Sequence, residues 1–222
     1  MLFALSGPSS SGKSTIIGHF SEPRNRYCTV DVLKHHFARE VMNKMRITIN
    51  DMKVSLDKTI TYHFELYKYR FGIEEKYLHN NKTKFNTLIE RSFVDSIIYF
   101  FLQLLPHNEE FNKEHDDGSI INLFYNYLNK FDYFQDYYNL CVNKTKEHYY
   151  KILYLSENPK IENDGIRISD LTFINNQKIL FNEIFEKEFK DQLVIIDSLT
   201  MIDRLFDISR VLNKHYYYLE NK

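Results

Sequence analysis

Cysteine is nearly missing: Cys28 and Cys141 are the only two in 222 residues, so a disulfide framework or a thiolate metal site lacks the residues it needs. That usage fits a reducing, cytoplasmic setting. Tryptophan is absent and glycine (6) and proline (4) are few, while tyrosine (17), phenylalanine (18), asparagine and lysine abound. An AT-rich coding genome produces this bias as readily as any function does. A surplus of one charge is also lacking, with 29 Lys and Arg against 30 Asp and Glu, so no global basic field draws nucleic acid or an anionic membrane. A local basic groove stays compatible with these counts. No uninterrupted apolar run reaches membrane-spanning length, and the short apolar start runs directly into a polar loop without a basic leader or cleavage pattern. The expectation is a soluble protein without membrane partners. At 222 residues, one domain with a sizeable α/β core is the economical reading.

What is present begins at the first residues. Leu2-Phe3-Ala4-Leu5 reads as a buried strand, Gly7-Pro8-Ser9-Ser10-Ser11-Gly12-Lys13-Ser14-Thr15 as a phosphate loop, and Ile16-Ile17-Gly18-His19-Phe20 as the helix behind it. The loop is a complete G-x-x-x-x-G-K-[ST] motif in the context that motif requires. Its backbone N–H groups and the helix N-terminus would face the β- and γ-phosphates of a nucleotide, Lys13 would add a mobile positive charge, and the Ser14 hydroxyl would hold Mg²⁺. ATP and Mg²⁺ are the cofactors this implies.

Further along, Tyr27-Cys28-Thr29-Val30 predicts a strand ending at Asp31, which would put that carboxylate on the ligand edge of an open sheet. The alternative for Asp31 is a helix N-cap ahead of Val32-Leu33. Asp51 to Leu78 reads as mainly helical. Phe85-Asn86-Thr87-Leu88-Ile89 predicts a strand closed by Glu90-Arg91-Ser92, three polar residues directly behind a core strand. A helical insert over about 99–148, interrupted by Pro106 and the polar run 108–118, precedes the strand Tyr150 to Leu155. A loop over about 156–170, a helix to Phe189, the strand Leu193 to Ile196 and a helix from Ile202 to Leu212 complete the order. That order predicts an α/β fold of three layers, the P-loop nucleoside triphosphate hydrolase type, with about five parallel strands flanked by helices and an enlarged helical middle region. The aromatic rows from Tyr62 to Phe71 and from Tyr125 to Tyr138 read as helix packing rather than base-stacking platforms.

A phosphate loop does not by itself separate a kinase from a GTPase, a motor or a switch. Asn143-Lys144-Thr145-Lys146 begins like a guanine-reading motif but lacks its Asp, and no apolar run ends in Asp-Glu as in an ATPase motor. The chain resembles the nicotinamide-riboside-kinase-like P-loop ATPases, and more loosely the deoxynucleoside kinases. The likeness rests on Gly7 to Thr15, on Ile89-Glu90-Arg91-Ser92-Phe93-Val94-Asp95, and on Asn163-Asp164-Gly165-Ile166-Arg167 ahead of a long helix and the last strand. The first group usually has Asp where this chain has Glu90, whereas deoxynucleoside kinases have Glu-Arg-Ser as here. The resemblance implies a kinase with a small nucleoside-like acceptor, a lid carrying Arg167, and Asp31 as the base that takes the acceptor's proton. Phosphoryl transfer needs positive charge converging on the γ-phosphate, and Lys13, Arg91 and Arg167 are the candidates. Glu90 is a candidate for Mg²⁺ through water, and Asp31, Glu90 and Arg91 for contact with the acceptor. Arg91 has the alternative of an ion pair with Asp95, and Asp164 of shaping its turn.

Two other functions fit parts of the same pattern. One places the acceptor hydroxyl in a polynucleotide, with Lys34, Arg39, Lys44, Arg46, Lys53 and Lys58 as a basic groove, against the reading of a solvated helix face. The other is an ATP-binding switch with no acceptor. His35 and His36 point about 100° apart on a helix and so do not converge on one metal, and His115-Asp116-Asp117 reads as a solvated loop. The oligomeric state, a homodimer included, is left open.

Overall fold

A computed structural model describes residues 1–22, 30–33, 36–80, 86–108, 119–157 and 171–220. The chain divides into two compact units, residues 1–34, 83–92 and 146–222 forming one and residues 35–82 and 93–145 the other. The strands are β1 (Leu2–Ser6), β2 (Val30–Leu33), β3 (Asn86–Glu90), β4 (Lys151–Leu155) and β5 (Leu193–Ile196). The helices are α1 (Lys13–Ser21), α2 (Phe37–Met45), α3 (Ile49–Val54), α4 (Leu56–Asn80), α5 (Phe93–Leu104), α6 (Ile120–Lys130), α7 (Asp132–His148), α8 (Leu171–Glu188) and α9 (Met201–Glu220).

The first unit is a five-stranded parallel sheet, as the sequence pattern predicts, and its strands lie in the order β2-β3-β1-β4-β5. A parallel strand covered on both faces needs an apolar residue at nearly every position, and all five residues of β1 are buried. Phe3, Leu5, Leu88, Leu153, Leu155 and Ile196 project to one face and meet Ile16, Ile17 and Phe20 of α1 and Ile208 and Leu212 of α9. On the other face the Tyr154 ring packs against Phe181 and Phe185 of α8 at 5.6 and 5.1 Å between centroids. Each such side chain contributes about 2 kcal/mol by leaving water. The Asn86 carboxamide donates to the Leu212 carbonyl at 2.8 Å, tying the start of β3 to α9.

Two expectations are corrected. Within the described residues β2 covers Val30–Leu33, so Asp31 lies inside the strand, opposite Thr87, and not at its C-terminal end, while Tyr27, Cys28 and Thr29 lie outside the described residues. β2 is an edge strand, where a polar residue interrupts an apolar run without ending it. The capping alternative for Asp31 falls as well, because the next helix starts at Phe37 behind His36. The last helix starts at Met201 and continues to Glu220, well past Leu212.

The second unit is helical, built from α2 to α6 and most of α7. Its tyrosines and phenylalanines pack on one another, as the helical spacing predicts. Phe101 meets Phe124 and Tyr127 edge-on at 5.1 and 5.4 Å, and Phe100 meets Phe134 and Tyr137 at 5.6 and 4.9 Å. A buried ion pair on α4, Arg70 with Glu74 one turn on, sits among these rings, with the guanidinium 4.8 Å from the Phe93 centroid and 5.3 Å from that of Phe37. At the N-terminus of α3, the Thr48 hydroxyl accepts from the Asp51 N–H while the Asp51 carboxylate accepts from the Thr48 N–H, a reciprocal cap.

His63 lies in the same core, stacked on Phe100 at 4.4 Å, with Nε2 and the Gln103 Oε1 2.9 Å apart. Its Nδ1 has no partner among the described residues. Burial pushes the imidazole pKa down to about 4, and the Gln103 bond opposes this only in part. The folded-state pKa lies below the unfolded value, so the neutral ring's contribution is full above about pH 6.5 and is lost as pH falls towards 4. The expected loss is about 3 kcal/mol at most. In urea titrations between pH 7 and 4, His63→Phe should close the gap to the unmodified protein as pH falls; a constant gap would show that the buried imidazole does not govern this acid loss.

Candidate phosphate-binding site

All five strands point the same way, so the chain leaves β1, β3, β4 and β5 at one edge of the sheet. Open α/β sheets bind ligands at this edge. Leu5 is in register with Glu90 and Ser6 with Tyr154, which places the loop after β1 beside the ends of β3 and β4.

The loop folds tightly between β1 and α1. Gly7 and Gly12 take positive φ of 149° and 89°, and Ser10 a φ of 63°. A Cβ on Gly7 would come within 2.9 Å of the Leu155 carbonyl oxygen, whereas one on Gly12 would meet two side-chain ends, that of Met201 at 3.1 Å and Arg204 Nη1 at 3.7 Å. Both glycines are favoured by their dihedrals, and the first is required by a neighbouring backbone as well. No side chain caps α1, and its first turn holds no acid, so its N-terminal N–H groups face no competing anion from that turn.

Lys13 is buried, and its ammonium donates to the carbonyls of Gly7 at 2.8 Å and Pro8 at 2.7 Å and to the Ser11 hydroxyl at 3.1 Å. The Ser14 hydroxyl donates to the Glu90 carboxylate at 2.8 Å. These are the two residues proposed from sequence for Mg²⁺, and the fold brings them together from positions 76 apart. An exposed hydroxyl and a carboxylate offer the oxygen ligands that Mg²⁺ takes while it keeps several waters.

Arg91 has a φ of 72°, and its N–H donates to the Leu5 carbonyl at 2.8 Å. The ladder of β1 and β3 thus extends one residue further while Arg91 itself turns left-handed, a conformation costing roughly 1–2 kcal/mol outside glycine. The Ser6 hydroxyl donates to the Ser92 hydroxyl at 2.9 Å and fixes the same corner. Glu90 and Arg91 are therefore held beside the loop. Thr15 is exposed on α1, and His36 is exposed ahead of α2. Among the described residues no group of His, Cys, Asp and Glu forms a metal cluster. The description of Asp31 is confined to its backbone, while Arg167, Asp164, most of the lid-like loop, His35, Lys34, Cys28 and His115 lie outside the described residues.

Two residues at the loop were not singled out from the sequence. The Ser9 N–H donates to Gln177 Oε1 at 2.8 Å, and Arg204 donates to the Ser11 carbonyl at 2.6 Å. Both side chains are fully buried. Their signal is a polar residue in an apolar stripe: Gln177 falls among Ile174, Phe181 and Ile184, and Arg204 among Met201, Leu205 and Ile208.

No family model and no curated protein matches the sequence. Solved structures share its architecture. A deoxyadenosine kinase from M. mycoides with bound dATP superposes with a TM-score of 0.60 at 17% identity, over 96% of this chain and 100% of that one. NadR in complex with NR superposes at 0.58 and 16% identity over 96% of this chain and 50% of that one, so the match takes in half of NadR. At these identities the likeness is one of fold, and the fold is the P-loop kinase type that the motifs predict.

The two glycines respond differently to a methyl group. Gly7→Ala drives a Cβ into a backbone oxygen and should cost about 3 kcal/mol, whereas Gly12→Ala strains one dihedral and displaces a methionine end, for about 1–2 kcal/mol. Denaturant midpoints compare the two, and equal midpoints would mean that the Leu155 carbonyl does not constrain the loop.

Proposed function

We propose that this chain is an ATP-dependent phosphotransferase that moves the γ-phosphate to a hydroxyl or phosphate of a nucleoside, a nucleotide or a related ribosyl compound. The observation that carries the reading is the 2.8 Å contact of Ser14 with Glu90 at the mouth of a phosphate loop closed by Lys13. A loop that served only as a strand-to-helix turn has no need to bring a hydroxyl and a carboxylate together beside an uncapped helix N-terminus. The two structural neighbours hold small molecules, dATP in one and NR in the other, which supports a small acceptor over a polymer.

In this reading the loop N–H groups and the start of α1 bind the polyphosphate. Lys13 leaves its loop carbonyls and neutralises the β- and γ-phosphates, and Arg91, presented by its left-handed corner, contacts the transferring phosphate or the acceptor. Ser14 and Glu90 hold Mg²⁺, which when bound offsets charge on the phosphate oxygens. Arg167, outside the described residues, is the remaining candidate to neutralise charge on the transferring phosphate, while Asp31, level with Thr87 and Leu2 and away from the ligand edge, is not assigned the proton. Lys34 of the candidate basic groove lies outside the described residues; Arg39, Lys44, Arg46, Lys53 and Lys58 are interleaved in sequence with Glu40, Asp51 and Asp57, and Lys58 is tied to Asp51 at 2.8 Å. That pattern gives no continuous track for a polynucleotide backbone.

Incubation with Mg·ATP and a panel of nucleosides, nucleotides, ribosyl compounds and oligonucleotides, followed by ADP release and product mass, tests the assignment. A free small compound should stimulate ADP release, and Lys13→Ala should reduce turnover by about 100-fold or more without loss of the fold. Stimulation by oligonucleotide alone, falling steeply with salt, would replace the small acceptor with a polymer. ATP binding without acceptor-dependent turnover would make the chain a switch.

A further inference from the structure

Arg204 is an arginine with no accessible surface whose hydrogen bonds go to three backbone carbonyls. Its Nε donates to the Ser198 carbonyl at 2.7 Å, Nη1 to the Ser11 carbonyl at 2.6 Å and Nη2 to the Glu157 carbonyl. Those carbonyls belong to three segments on the ligand edge: the phosphate loop, the chain leaving β4 and the chain leaving β5. Among the described residues no carboxylate forms an ion pair with this guanidinium; that of Glu157 is held by Lys178 at 3.0 Å. Burial works against the charged guanidinium and the nearby Glu157 carboxylate favours it, with burial the larger effect. The guanidinium stands directly behind the loop that the proposed function assigns to a polyanion.

The Ser11 carbonyl and the Gly12 N–H belong to one planar trans peptide unit and point in opposite directions. A grip on the carbonyl from outside therefore sets the direction of the N–H. We propose that Arg204 is a positioning residue for polyphosphate binding: by holding the Ser11 carbonyl outward it turns the Gly12 N–H towards the phosphates. This rests on the nucleotide-binding reading above. The two fixed points at Ser198 and Glu157 make it the planar fork that matters and not charge alone, since a lysine ammonium cannot reproduce three diverging donors in one plane. The effect is blind to the nucleobase, because it reaches the ligand only through the loop.

Calorimetric titration of the full chain with Mg·ATP and with inorganic tripolyphosphate tests this, for the unmodified protein, Arg204→Met, Arg204→Lys and the exposed control Arg210→Met. Arg204→Met should weaken both ligands alike by about tenfold or more, Arg204→Lys should restore only part of the loss, and Arg210→Met should change neither. In turnover assays the KM for ATP should rise while that for the acceptor stays put, a split that a general loss of structure does not produce. Unchanged tripolyphosphate affinity in a folded Arg204 variant overturns the proposal. Should neither variant fold, titration of the unmodified protein by NMR decides: the Arg204 Nε–H and Gly12 amide resonances should shift together with tripolyphosphate, and a Gly12 amide that does not move overturns it. If the unmodified protein binds neither ligand, it is the nucleotide reading of the site that fails.

Discussion

β1 has a strand on each side, β3 and β4, and every one of its residues is buried. The rest of the site follows from that double pairing. Parallel registry sets Leu5 against Glu90 and Ser6 against Tyr154, so the ends of three strands lie abreast. The loop after β1 then has a backbone neighbour at Leu155, close enough that its first residue must be glycine. The same registry delivers Glu90 to Ser14 and carries the β1–β3 ladder on to the Arg91 N–H. The arrangement of side chains at this edge is a by-product of strand pairing, in the sense that no loop has to find its partner alone.

The two units solve burial by different means. The sheet unit buries aliphatic side chains in layers, with Tyr154, Phe181 and Phe185 on its second face. The helical unit relies on rings set edge to face, around Phe100 and Phe101 above all. Rings carry large areas with few rotatable bonds, so such a core is rigid once formed. It also accepts polar tips, and His63 and the Arg70–Glu74 pair lie within it.

The phosphate loop was fully legible in the sequence because its chemistry is local: nine consecutive residues supply glycines, lysine and hydroxyl in fixed order. Glu90 and Arg91 were legible for a related reason, as polar residues directly behind a core strand. Asp31 misled, because an acid in a short apolar run reads as a strand end when the strand is in fact an edge strand that tolerates it. Ser14 meeting Glu90 was foreseen only as a shared role, since sequence separation hides the pairing. Arg204 was hidden further, its contact with Ser11 spanning 193 positions, and the sole trace was a charge on the apolar stripe of the last helix. The aromatic rows were read correctly as packing because their spacing fits helices that bury one face.

The Pro8–Ser9 peptide unit is held at both ends, its carbonyl by Lys13 and its N–H by Gln177. Lys13, proposed above to meet the phosphates, is engaged with three oxygens of its own loop. Those oxygens act as an internal competitor. Any incoming anion is measured against them, so its affinity reports a difference between two sets of oxygens rather than the full strength of an ammonium contact. On the proposed reading a single weakly charged oxyanion would gain little from that exchange, whereas a polyphosphate reaching the helix N-terminus and the ammonium together would displace the competitor while the Gln177 contact kept the loop from collapsing behind it.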